Sequence, residues 1–393
     1  DHRDLHLSIR RQRQMCIRDR IDQVRFIKVR VTPKTAWYFA KVMNSNGLET
    51  VVEFTKGSSS GEVAKLIHQM TGYLSEQLVE DESDVESILN IDHIMDGRSV
   101  ESAAISAVRT AITQLSAMEK DISLNETFNG GKIEKVPVYA NINRGLFSTD
   151  RAPNDFAAAA ENAVKRGFSI IKCAPFDEVS PSDSSEWILK SAEMGIERVK
   201  SIRRAVGESI TVLIDCHSRF TPETASQVAE KLESVSIGWF EEPLSPNDHS
   251  CSLSDVVKKV SMPVAGGESG YGEPFFDALL SSGSLEIVMP DIKYCGGVSE
   301  SVRIGRLARS KGAGVSLHSP SGPVSLLASA HSTAAVECSM ALEHAVSESD
   351  WRSELIEPAE VIRDGNIYLP KGPGLGAVLN SNMMAKRGEY FSV

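Results

Sequence analysis

Five polar residues that could carry out chemistry recur at nearly equal intervals in the second half of the sequence. Each ends a short apolar run, and they are Asp215, Glu241, Glu268, Asp291 and His318. The steps between them are 26, 27, 23 and 27 residues, the length of one strand followed by one helix. If these runs are parallel strands of a barrel, the five side chains converge at its C-terminal mouth, where barrel enzymes have their active sites.

The first three of these residues are carboxylates, which cannot all stay ionised side by side without a counter-charge. A divalent cation supplies that charge, and oxygen ligands without Cys or His suit Mg²⁺ better than Zn²⁺. A single acid at a strand end is more often a helix cap or an ion-pair partner. Three in succession, Asp215, Glu241 and Glu268, instead predict a magnesium site.

His318 is a candidate for proton transfer, and His217 stands beside a predicted metal ligand. A carboxylate such as Asp291, bonded to one nitrogen of His318, would fix its tautomer and make the other nitrogen a general base. The alternative is a structural histidine, but the neighbouring metal site favours the base. The other histidine, His217, stands two residues after Asp215, and side chains two apart on a strand point the same way.

From Val136 onward, short apolar strands alternate with amphipathic helices. The predicted strands are VPVYANI, FSIIKCAP, TVLIDC, IGWFEEP, MPVAGGE, LEIVMPD and AGVSLHS. A helix is predicted over 184–206, with Asp183 and Glu186 as its capping box. Seven or eight such units favour an α/β barrel of parallel strands. The fallback is a doubly wound sheet, but no Gly-rich phosphate turn follows the first strand.

The N-terminal part of the chain has a different pattern. Residues 21–54 predict two strands, IDQVRFIKVRV and WYFAKVMNS, with a turn at Asn46-Gly47, and residues 60–120 are mostly helical. This is typical of a separate α+β module. Residues 1–20 carry six Arg among polar residues and lack the apolar segment of a signal peptide. We interpret them as a disordered or non-native tail.

Composition limits the classes of partner. The 393 residues carry a formal net charge of −11, although the first twenty are basic. An acidic chain argues against binding nucleic acid or an anionic membrane, and no apolar run is long enough to span a bilayer. An anionic small substrate stays compatible, because a bound cation inverts the local field. Six Cys without paired spacing predict reduced thiols and a cytoplasmic protein.

The order of the polar residues, with Lys172 before them, resembles the enolase superfamily in its mandelate racemase/muconate lactonizing enzyme branch. The motifs WFEEP, GGES, MPD…GGV and PKGPGLG carry this resemblance over roughly residues 21–385. It implies a modified (β/α)₇β barrel at 136–354 and an α+β cap formed by 21–135 and completed by 355–393. It also implies Mg²⁺ held by the three acids, proton abstraction next to a substrate carboxylate, and a homo-oligomer.

Departures from the family pattern narrow the range of reactions that this chain is expected to catalyse. Many relatives have a second lysine, used as a base, where this chain has Ala174. Its absence argues against a racemase and leaves His318 as the sole base, with Lys172 as an electrophile near the substrate carboxylate. Tyr294 stands where other relatives place a catalytic lysine, and Lys293 precedes it, which weakens a cycloisomerase interpretation.

The stretch DCHSR resembles the Asp-x-His-Gly-Arg of the galactonate and mannonate type of acid-sugar dehydratase. The resemblance makes His217 the acid that protonates the departing 3-hydroxyl. Arg219 either orients substrate or pairs with a barrel acid. In this motif, Ser218 replaces the usual Gly. The resemblance also matches Glu343 to the last-strand acid that binds the substrate carboxylate, although the spacing before Glu343 is looser than in mandelate racemase.

These observations predict a Mg²⁺-dependent lyase that dehydrates a sugar acid, an aldonate or an aldarate, to a 2-keto-3-deoxy acid. The alternatives are an epimerase, racemase or cycloisomerase acting on a carboxylate, and a non-catalytic protein on an enzyme scaffold. Cap loops near 33–36 and 55–61 are expected to close over the mouth and set specificity. The particular sugar acid and its stereochemistry are not predicted.

Overall fold

A computed structural model describes residues 21–77, 79, 81–91 and 96–393, apart from the side chains of 249–251. The predicted tail at 1–20 lies outside the described residues. The strands are β1 Ile21–Arg30, β2 Ala36–Asn44, β3 Glu49–Glu53, β4 Lys135–Asn141, β5 Ile170–Cys173, β6 Thr211–Asp215, β7 Ile237–Glu241, β8 Val264–Gly266, β9 Ile287–Val288, β10 Gly314–Val315, β11 Leu342–Ala345, β12 Ile356–Glu357, β13 Val361–Arg363, β14 Asn366–Tyr368, β15 Val378–Leu379 and β16 Gly388–Phe391. The helices are α1 Ser60–Leu74, α2 Ser83–Leu89, α3 Val100–Glu119, α4 Pro153–Lys165, α5 Ser185–Val206, α6 Pro222–Leu232, α7 Pro246–Val257, α8 Gly272–Ser281, α9 Gly297–Ser310, α10 Pro323–Ala334 and α11 Ser381–Arg387.

The strands from β4 to β10 form one continuous parallel sheet, and β11 pairs with the free side of β4. Hydrogen bonds from the amides of Met340 and Glu343 to the carbonyls of Val315 and Leu317 join β11 to the other edge and close the barrel. One α-helix follows each strand from β4 to β10, whereas only a short 3-10 helix, Arg352–Leu355, lies between β11 and β12. The fold is therefore a modified (β/α)₇β barrel, which confirms the predicted fold class.

An α+β capping domain precedes the barrel. Its antiparallel sheet has the order β16-β1-β2-β3, so the last strand of the chain completes a sheet begun by the first. Helices α1 and α3 bury one face of this sheet, with Val63, Ile67 and Val108 in a core separate from that of the barrel. The domain thus needs both ends of the chain.

The structure corrects two local predictions. The hairpin at Asn46-Gly47 leads into a third strand, β3, which the sequence analysis did not assign. The predicted capping box at Asp183 and Glu186 is wrong, because Ser184 caps α5 and its side chain accepts a hydrogen bond from the amide of Trp187. The apolar face of α5 does follow helical spacing, with Ile188, Ala192, Ile196, Val199 and Ile202 buried.

A buried arginine joins the cap to the barrel. Arg109 on α3 is 1% exposed, and its guanidinium contacts Glu82 at 2.6 Å, Glu86 at 2.5 Å and Glu300 at 3.2 Å. Glu82 and Glu86 belong to the cap, whereas Glu300 lies on α9 of the barrel. This cluster, named here the Arg109 cluster, fixes the cap over the barrel. Among the described residues, no helix is both long and apolar enough to cross a membrane.

Candidate active site

Three carboxylates meet at the C-terminal mouth of the barrel. Asp215 ends β6, Glu241 ends β7, and Glu268 follows β8 by two residues. Each offers an oxygen atom, and the three oxygens lie within 4.8 Å of one another. Asp215 and Glu241 are buried and Glu268 is partly exposed, so one side of the group stays accessible to a ligand. Oxygen donors of this kind can hold a hard divalent cation.

Lys172 lies behind this group, at the end of β5, and is fully buried. Its ammonium bonds directly to Glu241 and lies 3.4 Å from Asp215 and 3.1 Å from Glu343. Burial opposes the charge of Lys172, but Glu241 and the other acids raise its pKa well above the ordinary value. A cation that stays charged here holds the two ligand carboxylates and Glu343 together.

Glu343 lies on β11, beside Lys172, and has no exposed surface. The side-chain amide of Asn141 donates to its Oε1 at 2.6 Å, and the amide of Ser319 donates to its Oε2 at 3.0 Å. The barrel therefore brings the predicted last-strand acid to the candidate site and fixes both of its oxygens.

His318 and Asp291 form a contact of 2.8 Å between Nδ1 and Oδ2. Asp291 is fully buried, and its Oδ2 also lies 3.1 Å from the ammonium of Lys293. The other ring nitrogen of His318, Nε2, lies 3.0 Å from Oε2 of Glu268. Burial would lower the pKa of His318, but Glu268 and Glu343 raise it well above its ordinary value. The Asp291–His318 pair thus faces the carboxylate group with Nε2 of His318.

His217 lies beside a different member of the carboxylate group, Asp215. Its Nε2 is 3.0 Å from Oδ2 of Asp215, and its backbone amide donates to Oδ1 of the same residue. The side chain is half exposed, and Asp215 raises the pKa of His217 to about 9. A left-handed backbone conformation, with φ of 50°, turns this residue out of the strand direction. The strand ends at Asp215, so the expectation that residues two apart point the same way does not apply to His217. A turn sets the direction of its side chain instead.

Some predicted neighbours have other partners. Arg219 donates to the backbone carbonyls of Asp177 and Val179, and it forms no ion pair with a barrel acid among the described residues. Lys293 contacts Asp291 and lies 4.5 Å from the ring centre of Tyr294. The hydroxyl of Tyr294 donates to the carbonyl of Thr55, which ties a cap loop to the barrel.

Two positioning residues were not singled out by sequence reasoning: the indole of Trp239 donates to Glu241, and Asn141 donates to Glu343. Glu242, which follows a proposed ligand and was expected to be structural, accepts the backbone amides of Gly267 and Glu268. Trp239 stands two residues before Glu241 on the same strand, so the two side chains point the same way. This two-residue spacing, already used for Asp215 and His217, could have predicted the contact from the sequence. The Asn141 contact requires the closed barrel and has no local signal.

This architecture defines a class of protein: a capped (β/α)₇β barrel with a carboxylate triad and an Asp–His pair at its mouth. A sequence profile described as enolase C-terminal domain-like matches residues 155–383. The chain belongs to this family and is an enzyme of the enolase superfamily.

Relatives and solved structures agree with that assignment. D-xylonate dehydratase of Haloferax volcanii is 30% identical over 71% of this chain and 68% of its own length. D-galactonate dehydratase of Verminephrobacter eiseniae is 24% identical over 91% of this chain and 92% of its own. The structure of a mandelate racemase/muconate lactonizing enzyme from Jannaschia sp. CCS1 superposes with a TM-score of 0.82 at 22% identity, covering 95% of this chain and 99% of that one.

Proposed function

We propose that the protein is a Mg²⁺-dependent dehydratase that converts a sugar acid, an aldonate or an aldarate, to a 2-keto-3-deoxy acid. One observation carries this proposal. Two histidines flank the carboxylate triad, and each lies 3.0 Å from a different member: His217 from Asp215, and His318 from Glu268. Dehydration needs one group to remove a proton and another to protonate the departing hydroxyl, and this pair supplies both.

The relatives support the same reaction class. Those named above are a D-xylonate and a D-galactonate dehydratase, and another, from Thermoproteus tenax, is named D-gluconate dehydratase at 31% identity. Their substrates are all sugar acids with one carboxylate. A small-molecule carboxylate is therefore the proposed substrate of this chain.

The carboxylate triad is proposed to hold Mg²⁺, which would supply positive charge where the substrate carboxylate gains negative charge. The donor set fits that ion, because it consists of carboxylate oxygens alone. The positive charge of Lys172 partly offsets the negative charge of Asp215 and Glu241, and Lys172 would face the substrate carboxylate together with Glu343.

The proton transfers fall to the two histidines. His318, oriented by Asp291 through Nδ1, would remove the proton from the carbon next to the carboxylate. The electron pair of that C–H bond would first move into the substrate carboxylate, which gives an enediolate. In a second step it would form the new C–C double bond as the C–O bond of the 3-hydroxyl breaks. His217 would give its proton to the hydroxyl, which leaves as water, and the resulting enol becomes the 2-keto acid.

The geometry does not favour the alternative reactions. A racemase of this class needs a base on each face of the substrate, and the chain has Ala174 at the expected second position, buried and without a titratable group. A cycloisomerase would use a lysine beyond Asp291, but the ammonium of Lys293 contacts Asp291 and the hydroxyl of Tyr294. An intact triad is also not expected of a non-catalytic scaffold.

The test is a screen of the purified protein against aldonates and aldarates, with Mg²⁺ and with chelator, that measures 2-keto acid formation. We expect product from one or a few acids, and its loss on chelation. A chelator-insensitive product would contradict the metal assignment. If no product forms while unreacted acid takes up deuterium from the solvent at its α carbon, the activity is isomerisation instead.

A further inference from the structure

A basic cleft lies between the cap and the C-terminal end of the barrel. We name it by its four cationic residues, Lys28, Arg30, Lys34 and Arg144. The cleft has a volume of about 410 Å³, and Glu348 is its single acidic residue. Among the described residues, no carboxylate pairs with any of the four cations. Such a concentration of positive charge is unusual in a chain of net charge −11, because like charges repel unless an anion joins them.

The wall of the cleft also holds buried polar atoms without partners. Both carboxylate oxygens of Glu348 are closed off from solvent and have no hydrogen-bond partner in the structure. The hydroxyl of the adjoining Ser349 is in the same state. Buried acceptors without partners are costly, so the side chain of Glu348 would gain by turning into the cleft, where a ligand hydroxyl could donate to it. The cleft therefore offers cations for an acid group, and Glu348 is its candidate acceptor for a hydroxyl.

The basic cleft adjoins the candidate active site. Pro320 and Ser321 line it, two and three residues after His318, and Arg144 follows β4 at the same end of the barrel. From the cap, Thr55 lines the cleft, and its carbonyl accepts the hydroxyl of Tyr294 beside the Asp291–His318 pair. A substrate held by the triad at one end would thus extend toward this cleft.

We infer that the basic cleft binds a second anionic group, a carboxylate or a phosphate, at the far end of a polyhydroxylated acid. This inference rests on the proposed function and names the substrate class within it. An aldarate or a phosphorylated aldonate fits both ends of the site, whereas a plain aldonate leaves the four cations without an anion. This chain would then differ in substrate from its named relatives, which are called xylonate, gluconate and galactonate dehydratases.

Binding is measured with the His318→Asn variant loaded with Mg²⁺, so that no turnover disturbs the titration. Isothermal titration calorimetry compares galactarate, 6-phosphogluconate and galactonate as probes. A charge-assisted hydrogen bond adds enough free energy for about a tenfold gain in affinity. We expect at least one dianion to bind about tenfold more tightly than galactonate, and that gain to shrink at high salt. The dianion that binds more tightly, galactarate or 6-phosphogluconate, shows whether the second anionic group is a carboxylate or a phosphate.

The Arg30→Gln/Lys34→Gln double variant, made in the same background, should lose the preference for the dianion. The matched control is Arg309→Gln, which removes an exposed charge in the last turn of α9. This control variant should keep the preference for the dianion. Equal affinities for galactarate, 6-phosphogluconate and galactonate, or a preference that survives the double variant, would overturn the inference. A dianion preference in a wild-type protein that forms no keto acid would support the cleft and reject the dehydratase.

Discussion

The indole Nε1 of Trp239 donates a hydrogen bond of 3.0 Å to Oε2 of Glu241, two residues further along β7. Both side chains are buried inside the barrel, and Oε1 of Glu241 bonds to Lys172. Each oxygen of this proposed metal ligand therefore has one protein partner that fixes its direction. Partners of this kind set metal affinity, because they orient the ligand before the ion binds.

Replacement of Trp239 by Phe removes that donor and keeps an aromatic ring. We expect Mg²⁺ to bind about tenfold more weakly, since outer partners of metal ligands contribute at this level. Isothermal titration calorimetry measures the affinity. Trp187→Phe, at an exposed position of α5, is the control, and equal affinities in the two variants would contradict the role of Trp239.

Replacement of His318 by Asn should lower kcat at least about 100-fold, because general-base catalysis contributes that much or more. Mg²⁺ binding should stay intact, since the three proposed ligands are unchanged. Steady-state kinetics and a metal titration test the two halves of this prediction. His68→Asn on the exposed face of α1 is the control, and normal turnover by the His318 variant would disprove the base assignment.

Replacement of His217 by Asn should separate the two proton transfers. With His318 present, the α proton of the substrate should still exchange, but the 3-hydroxyl should leave at least about 100-fold more slowly. Proton NMR in D₂O follows deuterium uptake into unreacted substrate, and a keto-acid assay follows the product. Unchanged product formation would show that another group, or water, protonates the hydroxyl.

Replacement of Lys172 by Met should destabilise the metal-free protein. Three buried carboxylates would lose their shared cation, and breaking a buried ion pair typically costs about 3–5 kcal/mol. Added Mg²⁺ should recover part of this loss, because binding to the folded state alone stabilises it. Urea unfolding with and without Mg²⁺ measures both effects. Lys190→Met, on the exposed side of α5, should change stability by less than about 0.5 kcal/mol.

The Arg109 cluster should make the contact between cap and barrel sensitive to acid. Burial alone would raise the pKa of Glu300, but the guanidinium groups of Arg303 and Arg109 lower it below the ordinary value of 4.5. The folded state therefore binds this proton less readily than the unfolded chain. The stabilisation from Glu300 is complete above about pH 4.5 and is lost as the pH falls through the lower folded-state pKa.

The free energy of unfolding, measured from pH 7 down to pH 3, should fall less steeply in a Glu300→Gln variant than in the wild type. Glu62→Gln, which removes an exposed carboxylate in the first turn of α1, serves as the control. Identical pH profiles for the Glu300 variant and the wild type would contradict the prediction.

Local sequence patterns determined much of this protein. Apolar runs at a period of one strand and one helix predicted the barrel, because parallel strands joined by helices bury both faces of the sheet. The same period placed Asp215, Glu241 and Glu268 at strand ends, and a barrel brings such ends together whatever its loops do. Spacing therefore predicted a parallel α/β barrel and the residues of the triad, whereas the modified (β/α)₇β form and its cap were implied by the resemblance to the enolase superfamily.

Only the tertiary structure decided the contacts between segments far apart in the chain. Asn141 reaches Glu343, 202 residues away, because β4 and β11 pair when the barrel closes. Arg109 on α3 meets Glu300 on α9, and Lys34 in the cap meets Arg144 of the barrel at one cleft. No local pattern encodes such pairs, since their formation depends on how separate elements pack. The positioning of the triad and the basic cleft therefore emerge from the closed barrel and its docked cap.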